Sequence, residues 1–167
     1  MKSIILFGSK HGTTQVCVEK LKGFLKEEVD IVNLEKGEDV TLDKYDKIII
    51  GSPIYAGAFN QSVKEFLTSH KDELVNKKVG LFVCCMSDEE KVKEDFKQNI
   101  PEKVLQSAVA KSNFGGAFMF SKMNFFERQI IKMIAKKDPT LGKVDGKSDI
   151  LRINEEEIKN FAVIMEG

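Results

Sequence analysis

The chain has 167 residues, 42% of them hydrophobic and 31% charged, which suits one ordinary domain with a real core. Twenty-six basic residues balance twenty-six acidic ones, so no global field draws it to nucleic acid. Three cysteines, Cys17, Cys84 and Cys85, are too few and too unevenly spaced for a disulfide framework or a four-ligand zinc site, and they fit a reducing cytoplasm.

The opening apolar run, Ile4 to Phe7, is too short for a signal-peptide core, and nothing approaches the run of about eighteen apolar residues that spans a bilayer. With no repeat, low-complexity tract or linker, residues 1–167 are expected to form a single domain. Short β-branched runs alternate with helix-period segments, which predicts βαβ units and a parallel sheet covered on both faces. The predicted strands are Ile4 to Phe7, Val29 to Leu34, Lys47 to Ile50, Val79 to Cys85 and Phe114 to Phe120.

Helical spacing joins Thr14, Cys17, Val18, Leu21, Leu25 and Glu28 between the first two strands. Val63, Phe66, Leu67 and His70 make a second stripe, and Val92, Phe96 and Ile100 a third, which Pro101 kinks or ends before Val104, Leu105 and Ala108. The last helix should start at Asn154, a cap with Glu157 three residues on, ahead of Ile158, Phe161, Ala162 and Met165. Residues from about 121 to 152 break the rhythm and read as an insert before that helix. Met123, Phe126, Ile130, Met133 and Ile134 there share one helical face. From Gly115 to Arg152, eight basic residues (Lys122, Arg128, Lys132, Lys136, Lys137, Lys143, Lys147, Arg152) face four acidic ones (Glu127, Asp138, Asp145, Asp149), so this stretch carries a net charge of +4.

Ser9-Lys10-His11-Gly12-Thr13-Thr14 follows the first strand and leads into the first helix. Hydroxyls of Ser9, Thr13 and Thr14 can donate to a phosphate, Gly12 lets the backbone approach, and the free amides of a helix start favour an anion. Three residues separate Gly8 from Gly12 and no lysine follows, so the Walker pattern fails. The dinucleotide fingerprint is missing too, and Ser9 and Lys10 stand where a phospho-receiver domain needs acids. At the end of the third strand, Gly51-Ser52-Pro53-Ile54-Tyr55-Ala56-Gly57 reads as a tight loop whose Ile54 and Tyr55 offer apolar or flat surface to an aromatic ring. Cys84-Cys85-Met86-Ser87-Asp88 follows the fourth strand. On a strand Cys84 and Cys85 face opposite sides, as core thiols would.

The run Ile5 to Thr14 resembles the flavodoxin signature, an aromatic followed by a hydroxyl-rich loop around a glycine. The resemblance implies an α/β flavodoxin-like fold, doubly wound, with a five-stranded parallel sheet in the order 2-1-3-4-5 and FMN at its carboxyl edge. It assigns Ser9, Lys10, His11, Gly12, Thr13 and Thr14 to the phosphate. Ser52, Pro53, Ile54, Tyr55, Ala56 and Gly57 would lie against the isoalloxazine ring, with Cys85, Met86, Ser87 and Asp88 at its polar edge. Val18 and His11 depart from the usual family residues, and the third loop has no tyrosine to stack.

Phe114-Gly115-Gly116-Ala117-Phe118, Met123-Asn124-Phe125-Phe126-Glu127-Arg128 and Ile130-Ile131-Lys132-Met133-Ile134 resemble the menaquinone-dependent protoporphyrinogen oxidases. That resemblance implies a tetrapyrrole substrate and a quinone acceptor for the FMN. Arg128, Lys132 or Lys136 could then meet propionates, or the insert could touch the inner face of the membrane peripherally. No acid–base dyad is visible, and a flavin needs none. The alternative is a flavodoxin-type electron carrier docking to protein partners, which a neutral chain with a basic insert disfavours.

Overall fold

A computed structural model of the chain describes residues 2–9, 12–118, 124–137 and 150–167. In chain order, the first half runs β1 (Lys2–Phe7), α1 (Thr13–Phe24), β2 (Glu28–Asn33), β3 (Lys47–Tyr55), β4 (Ala58–Phe59), α2 (Gln61–Ser69) and α3 (Lys71–Leu74). The second half runs β5 (Lys78–Cys84), α4 (Glu89–Asn99), α5 (Glu102–Ser107), β6 (Ala110–Asn113), β7 (Gly115–Phe118), α6 (Phe125–Lys137), β8 (Ile150–Ile153) and α7 (Glu155–Glu166). Five parallel strands pair in the order β2-β1-β3-β5-β6, which is the predicted 2-1-3-4-5 once the parallel strands alone are counted. β4 folds back antiparallel on the end of β3, and β7 pairs antiparallel with β8 as a second, two-stranded sheet.

Period-2 alternation along the strands fills two cores. Ile4, Leu6, Ile48, Ile50, Leu81 and Val83 face Val63 and Phe66 of α2, Val92 and Phe96 of α4 and Val104 of α5. Their neighbours Ile5, Phe7, Ile49, Phe82 and Cys84 face Cys17, Val18 and Leu21 of α1 and Ile158, Phe161 and Met165 of α7. Cys84 and Cys85 therefore enter different cores, as the pleat requires. Burial on both faces explains why β3 and β5 read as continuous apolar runs.

Helix ends follow the predicted chemistry in most places. Asn154 Oδ1 accepts from the Glu157 amide at 3.2 Å and starts α7. Pro101 separates α4 from α5, with Ile100 already extended. α1 stops at Phe24, and Glu28, predicted on its stripe, belongs to β2.

Two predicted strands need correction. The fifth parallel strand is Ala110–Asn113, a short edge strand, and not the apolar run from Phe114. Phe114 is fully buried against Phe82, with ring centroids 4.4 Å apart, and the chain then turns at Gly115, whose φ of 81° few other residues adopt. Gly116 to Phe118 consequently pair with β8, and residues 119 and 120 lie outside the described residues. The third strand runs on past Ile50 to Tyr55, so Ser52 and Pro53 are strand residues in register with Val83 and Cys84 rather than loop residues.

Candidate functional site

The carboxyl ends of β1, β3 and β5 bring three segments to one edge of the sheet, where open α/β folds accept ligands. At the end of β1, Ser9 Oγ accepts the Gly12 amide at 3.0 Å, and Gly12 takes a left-handed φ of 80° to enter α1. No side chain caps that helix start and its first turn holds no acidic residue. Its leading amides and the positive end of its dipole are thus aimed at the loop without a protein anion. Thr14 is buried, and among the described residues its hydroxyl lies near the Cys84 thiol but makes no hydrogen bond of ordinary geometry. A buried hydroxyl left unsatisfied costs about 1–3 kcal/mol, so a ligand oxygen is the natural complement. Ser9, Gly12, Thr13 and Thr14 thus lie together at this edge, whereas Lys10 and His11 lie outside the described residues.

The second segment is a hairpin. β3 and β4 pair Ile54 with Phe59 and Tyr55 with Ala58, and Ala56 and Gly57 turn between them with φ of 51° and 79°. Two positive φ values in a row define the turn whose twist matches the strands. Ser52 is buried and its side chain is occupied by the hairpin, because Oγ accepts the Asn60 amide at 2.9 Å and donates to the Pro53 carbonyl at 2.8 Å. Pro53 is buried, and Ile54 and Tyr55 are half-buried. Burial, then the nearby Glu127 carboxylate and Cys84, push the Tyr55 phenol up to about 12. It is therefore a neutral hydroxyl with an apolar ring at neutral pH.

The third segment, Cys85 to Asp88, leaves β5 beside β7. Asn113 Oδ1 accepts the Cys85 amide at 3.3 Å and the Gly115 amide at 3.0 Å, joining this segment to the start of the second sheet. Met86 and Ser87 are half-buried. Asp88 is exposed and caps α4, accepting the Lys91 amide at 2.9 Å, so one of its oxygens is committed to the helix. Burial pushes the Cys85 thiol up to about 11. Cys17 and Cys84 meet in the other core, where a hydrogen bond between them lowers Cys17 and raises Cys84 well above an ordinary thiol. Buried thiols of this kind are packing groups.

Helix α6 begins where Asn124 Oδ1 accepts the Glu127 amide at 2.9 Å. Four of its apolar residues are exposed: Phe126 is 77% exposed and Met133 61%, with Phe125 and Ile130 beside them. Arg128 and Lys132 are half-buried, while Lys136 is exposed. Met123 lies outside the described residues. Among the described residues no helix is long and apolar enough to cross a membrane.

Sequence reasoning missed Asn60, Asn99 and Asn113, which brace the three segments. Asn60 carried a usable signal, since it directly precedes an apolar helical stripe, the position of a cap. Asn99 carried none, because its bonds to the hairpin cross the fold, whereas Asn113 carried a local one, an asparagine whose side chain turns back on the glycine amide two residues on.

A doubly wound sheet with an uncapped, hydroxyl-lined helix start at its switch edge defines the class of flavodoxin-like flavoproteins. The chain belongs to the flavodoxin family, whose domain model matches residues 4–143. It is similar, at 24% identity over 97% of this chain and 93% of the relative, to the protoporphyrinogen IX dehydrogenase [quinone] of Escherichia coli (strain K12). Among solved structures it resembles oxidised flavodoxin 1 from Bacillus cereus, with a TM-score of 0.58 and 14% identity over 99% of this chain and 97% of that one. It also resembles a flavoprotein in complex with FMN from Lactobacillus acidophilus NCFM, with a TM-score of 0.52 and 17% identity over 67% of this chain and 92% of that one.

Proposed function

We propose that the chain binds FMN at the edge formed by β1, β3 and β5 and is an oxidoreductase that takes electrons from protoporphyrinogen IX and gives them to a quinone. The observation that carries the FMN assignment is the buried Thr14 hydroxyl, which makes no hydrogen bond of ordinary geometry among the described residues, at an uncapped helix start. FMN supplies the redox chemistry, accepting electrons from the substrate and releasing them to the quinone. Ser9, Thr13 and Thr14 donate hydroxyls to the phosphate, the first-turn amides of α1 stabilise its charge, and Lys10 and His11 complete the loop. Ile54 and Tyr55, held by the Ala56–Gly57 turn, present apolar surface to the flavin ring and exclude water from it. The backbone of Cys85 to Asp88 meets the ring's polar edge.

The substrate assignment leans on full-length similarity to the quinone-linked dehydrogenase and on α6. An exposed face of Phe125, Phe126, Ile130 and Met133 beside basic residues suits greasy partners. Arg128, Lys132 and Lys136 offer charges to propionates, and the apolar face lies against the macrocycle or the headgroup boundary of a cytoplasmic membrane face. The decisive experiment is anaerobic mixing of the FMN-loaded protein with protoporphyrinogen IX, followed by a menaquinone. Bleaching of the flavin by the first and recovery of its colour with the second are expected. Colourless protein that takes up no added FMN overturns the whole proposal.

The second candidate is an electron carrier. It is favoured by exposed Asp88, Glu89 and Glu90 at the third segment, an acidic rim to which a basic redox partner could dock. Flavin that responds to protein reductases but not to the porphyrinogen would select it.

A further inference from the structure

Helix α4 carries Lys91, Asp95 and Asn99 four residues apart, on the face turned to the β3–β4 hairpin. Asn99 uses its whole amide: Nδ2 donates to the Gly57 carbonyl and to the Asp95 carbonyl, both at 2.8 Å, and Oδ1 accepts the Phe59 amide at 3.1 Å. The exit side of the turn is thereby pinned twice, at Gly57 and at Phe59, by one side chain. Asp95 is fully buried, with Oδ1 2.7 Å from Lys91 Nζ and Oδ2 without a partner. A Cβ at Gly57 would come within 3.3 Å of Asp95 Oδ1 and 3.4 Å of Lys91 Nζ, so the ion pair lies directly against the turn.

This bracing answers a strain. Ala56 holds a φ of 51°, the one left-handed non-glycine conformation among the described residues. Such a conformation persists only where its surroundings over-determine it. On the near side Ser52 and Asn60 hold the strands together, but neither reaches the turn itself. Asn99 does, and α4 also begins at Asp88 of the third segment, so one helix couples two of the three site segments.

We propose that Asn99 is a positioning residue, seconded by the Lys91–Asp95 pair, which locks the Ala56–Gly57 turn in its left-handed form and so sets how Tyr55 is presented to the bound flavin. The flavin part rests on the FMN assignment above; the lock on the turn does not.

The test uses Asn99→Leu, which fills the space without the three bonds, and Asn99→Asp, which keeps the acceptor for Phe59 but cannot donate to Gly57. In the flavin-free protein, Asn99→Leu should speed hydrogen exchange at the Phe59 amide about tenfold or more, leaving β1 protection unchanged. In the FMN-loaded protein it should raise the FMN dissociation constant about tenfold and shift the flavin's midpoint potential and visible circular dichroism. Adding Ala56→Gly, which removes the strain, should restore most of the affinity. Unchanged Phe59 exchange in Asn99→Leu overturns the lock; Asn99→Asp, which loses only the donor side, should keep Phe59 slow. Faster exchange with unaltered FMN affinity, potential and dichroism overturns its link to the flavin. If the unmodified protein takes up no FMN, the functional assignment fails by itself, and the exchange measurement still decides the lock. Should Asn99→Leu not fold, Asn99→Ala, which also removes all three bonds, carries the same measurements.

Discussion

The side-chain amide of Asn60 lies so close over Gly8 that a Cβ at position 8 would overlap it. The same Oδ1 caps α2 through the Ser62 and Val63 amides at 3.0 and 3.4 Å, and Nδ2 reaches Glu35 at 2.6 Å. One residue thus joins the end of β1, the exit of the hairpin and the start of α2. Gly8→Ala should push Asn60 out of its capping position, at a cost of about 1 kcal/mol. Thermal unfolding should then fall by roughly 2–4 °C, with weaker FMN uptake in titration. Unaltered melting and affinity would show that the amide relocates freely.

Thr14→Val separates ligand binding from stability by sign. Among the described residues the hydroxyl makes no hydrogen bond of ordinary geometry, so an isosteric methyl should leave the flavin-free protein as stable or about 1 kcal/mol more stable. FMN affinity should fall about tenfold for the loss of one hydrogen bond to a charged group. Denaturant unfolding and fluorescence titration of the flavin measure the two effects. A loss of stability with intact affinity would make the hydroxyl a structural group.

Both tyrosines titrate late. Tyr55, through burial and then Glu127, and Tyr45, through burial and its hydrogen bond to Asp30 at 2.6 Å, are each pushed up to about 12. The folded state therefore keeps protons that an unfolded chain releases near pH 10, so stability should fall as pH rises from about 10 to 12. With no tryptophan in the chain, tyrosinate absorbance in the flavin-free protein reports this directly. Glu127→Gln should move one of the two phenols to an earlier titration and leave the other. Two phenols ionising near pH 10 in the folded protein would contradict the described burial.

Reversing Lys132 and Lys136 to glutamate should weaken sedimentation with anionic lipid vesicles more than tenfold, since each lysine near such a surface contributes about 1 kcal/mol. FMN content should not change, because neither residue lies in the three site segments. Vesicle binding that survives both reversals and high salt would assign the attachment to the apolar residues of α6 rather than to its lysines.

The connection from β1 to α1 was legible because its chemistry is local: a glycine able to take φ of 80°, hydroxyls around it and a helix directly behind. The helix stripes were legible for the same reason. The edge strand Ala110–Asn113 was not, since an outer strand buries little and its Lys111, Ser112 and Asn113 look like a turn. The apolar run after it took its place in the prediction because Phe114 is a core residue that happens to end the strand. Pro53 likewise suggested a loop. It is in fact a strand residue at the outermost parallel register of β3 with β5. Asn99 left no trace in the sequence, for its two partners in the hairpin lie 40 and 42 residues away.

Gly115 pairs with Ile153 and Phe118 with Ile150, so the chain departs from the main sheet and comes back at adjoining points. The backbone arms of β7 and β8 have already closed the circuit before residue 119 is reached. Lengthening or trimming what lies between costs only a logarithmic increment of chain entropy and asks nothing of the sheet. The appendage can therefore vary while the sheet edge formed by β1, β3 and β5 stays fixed.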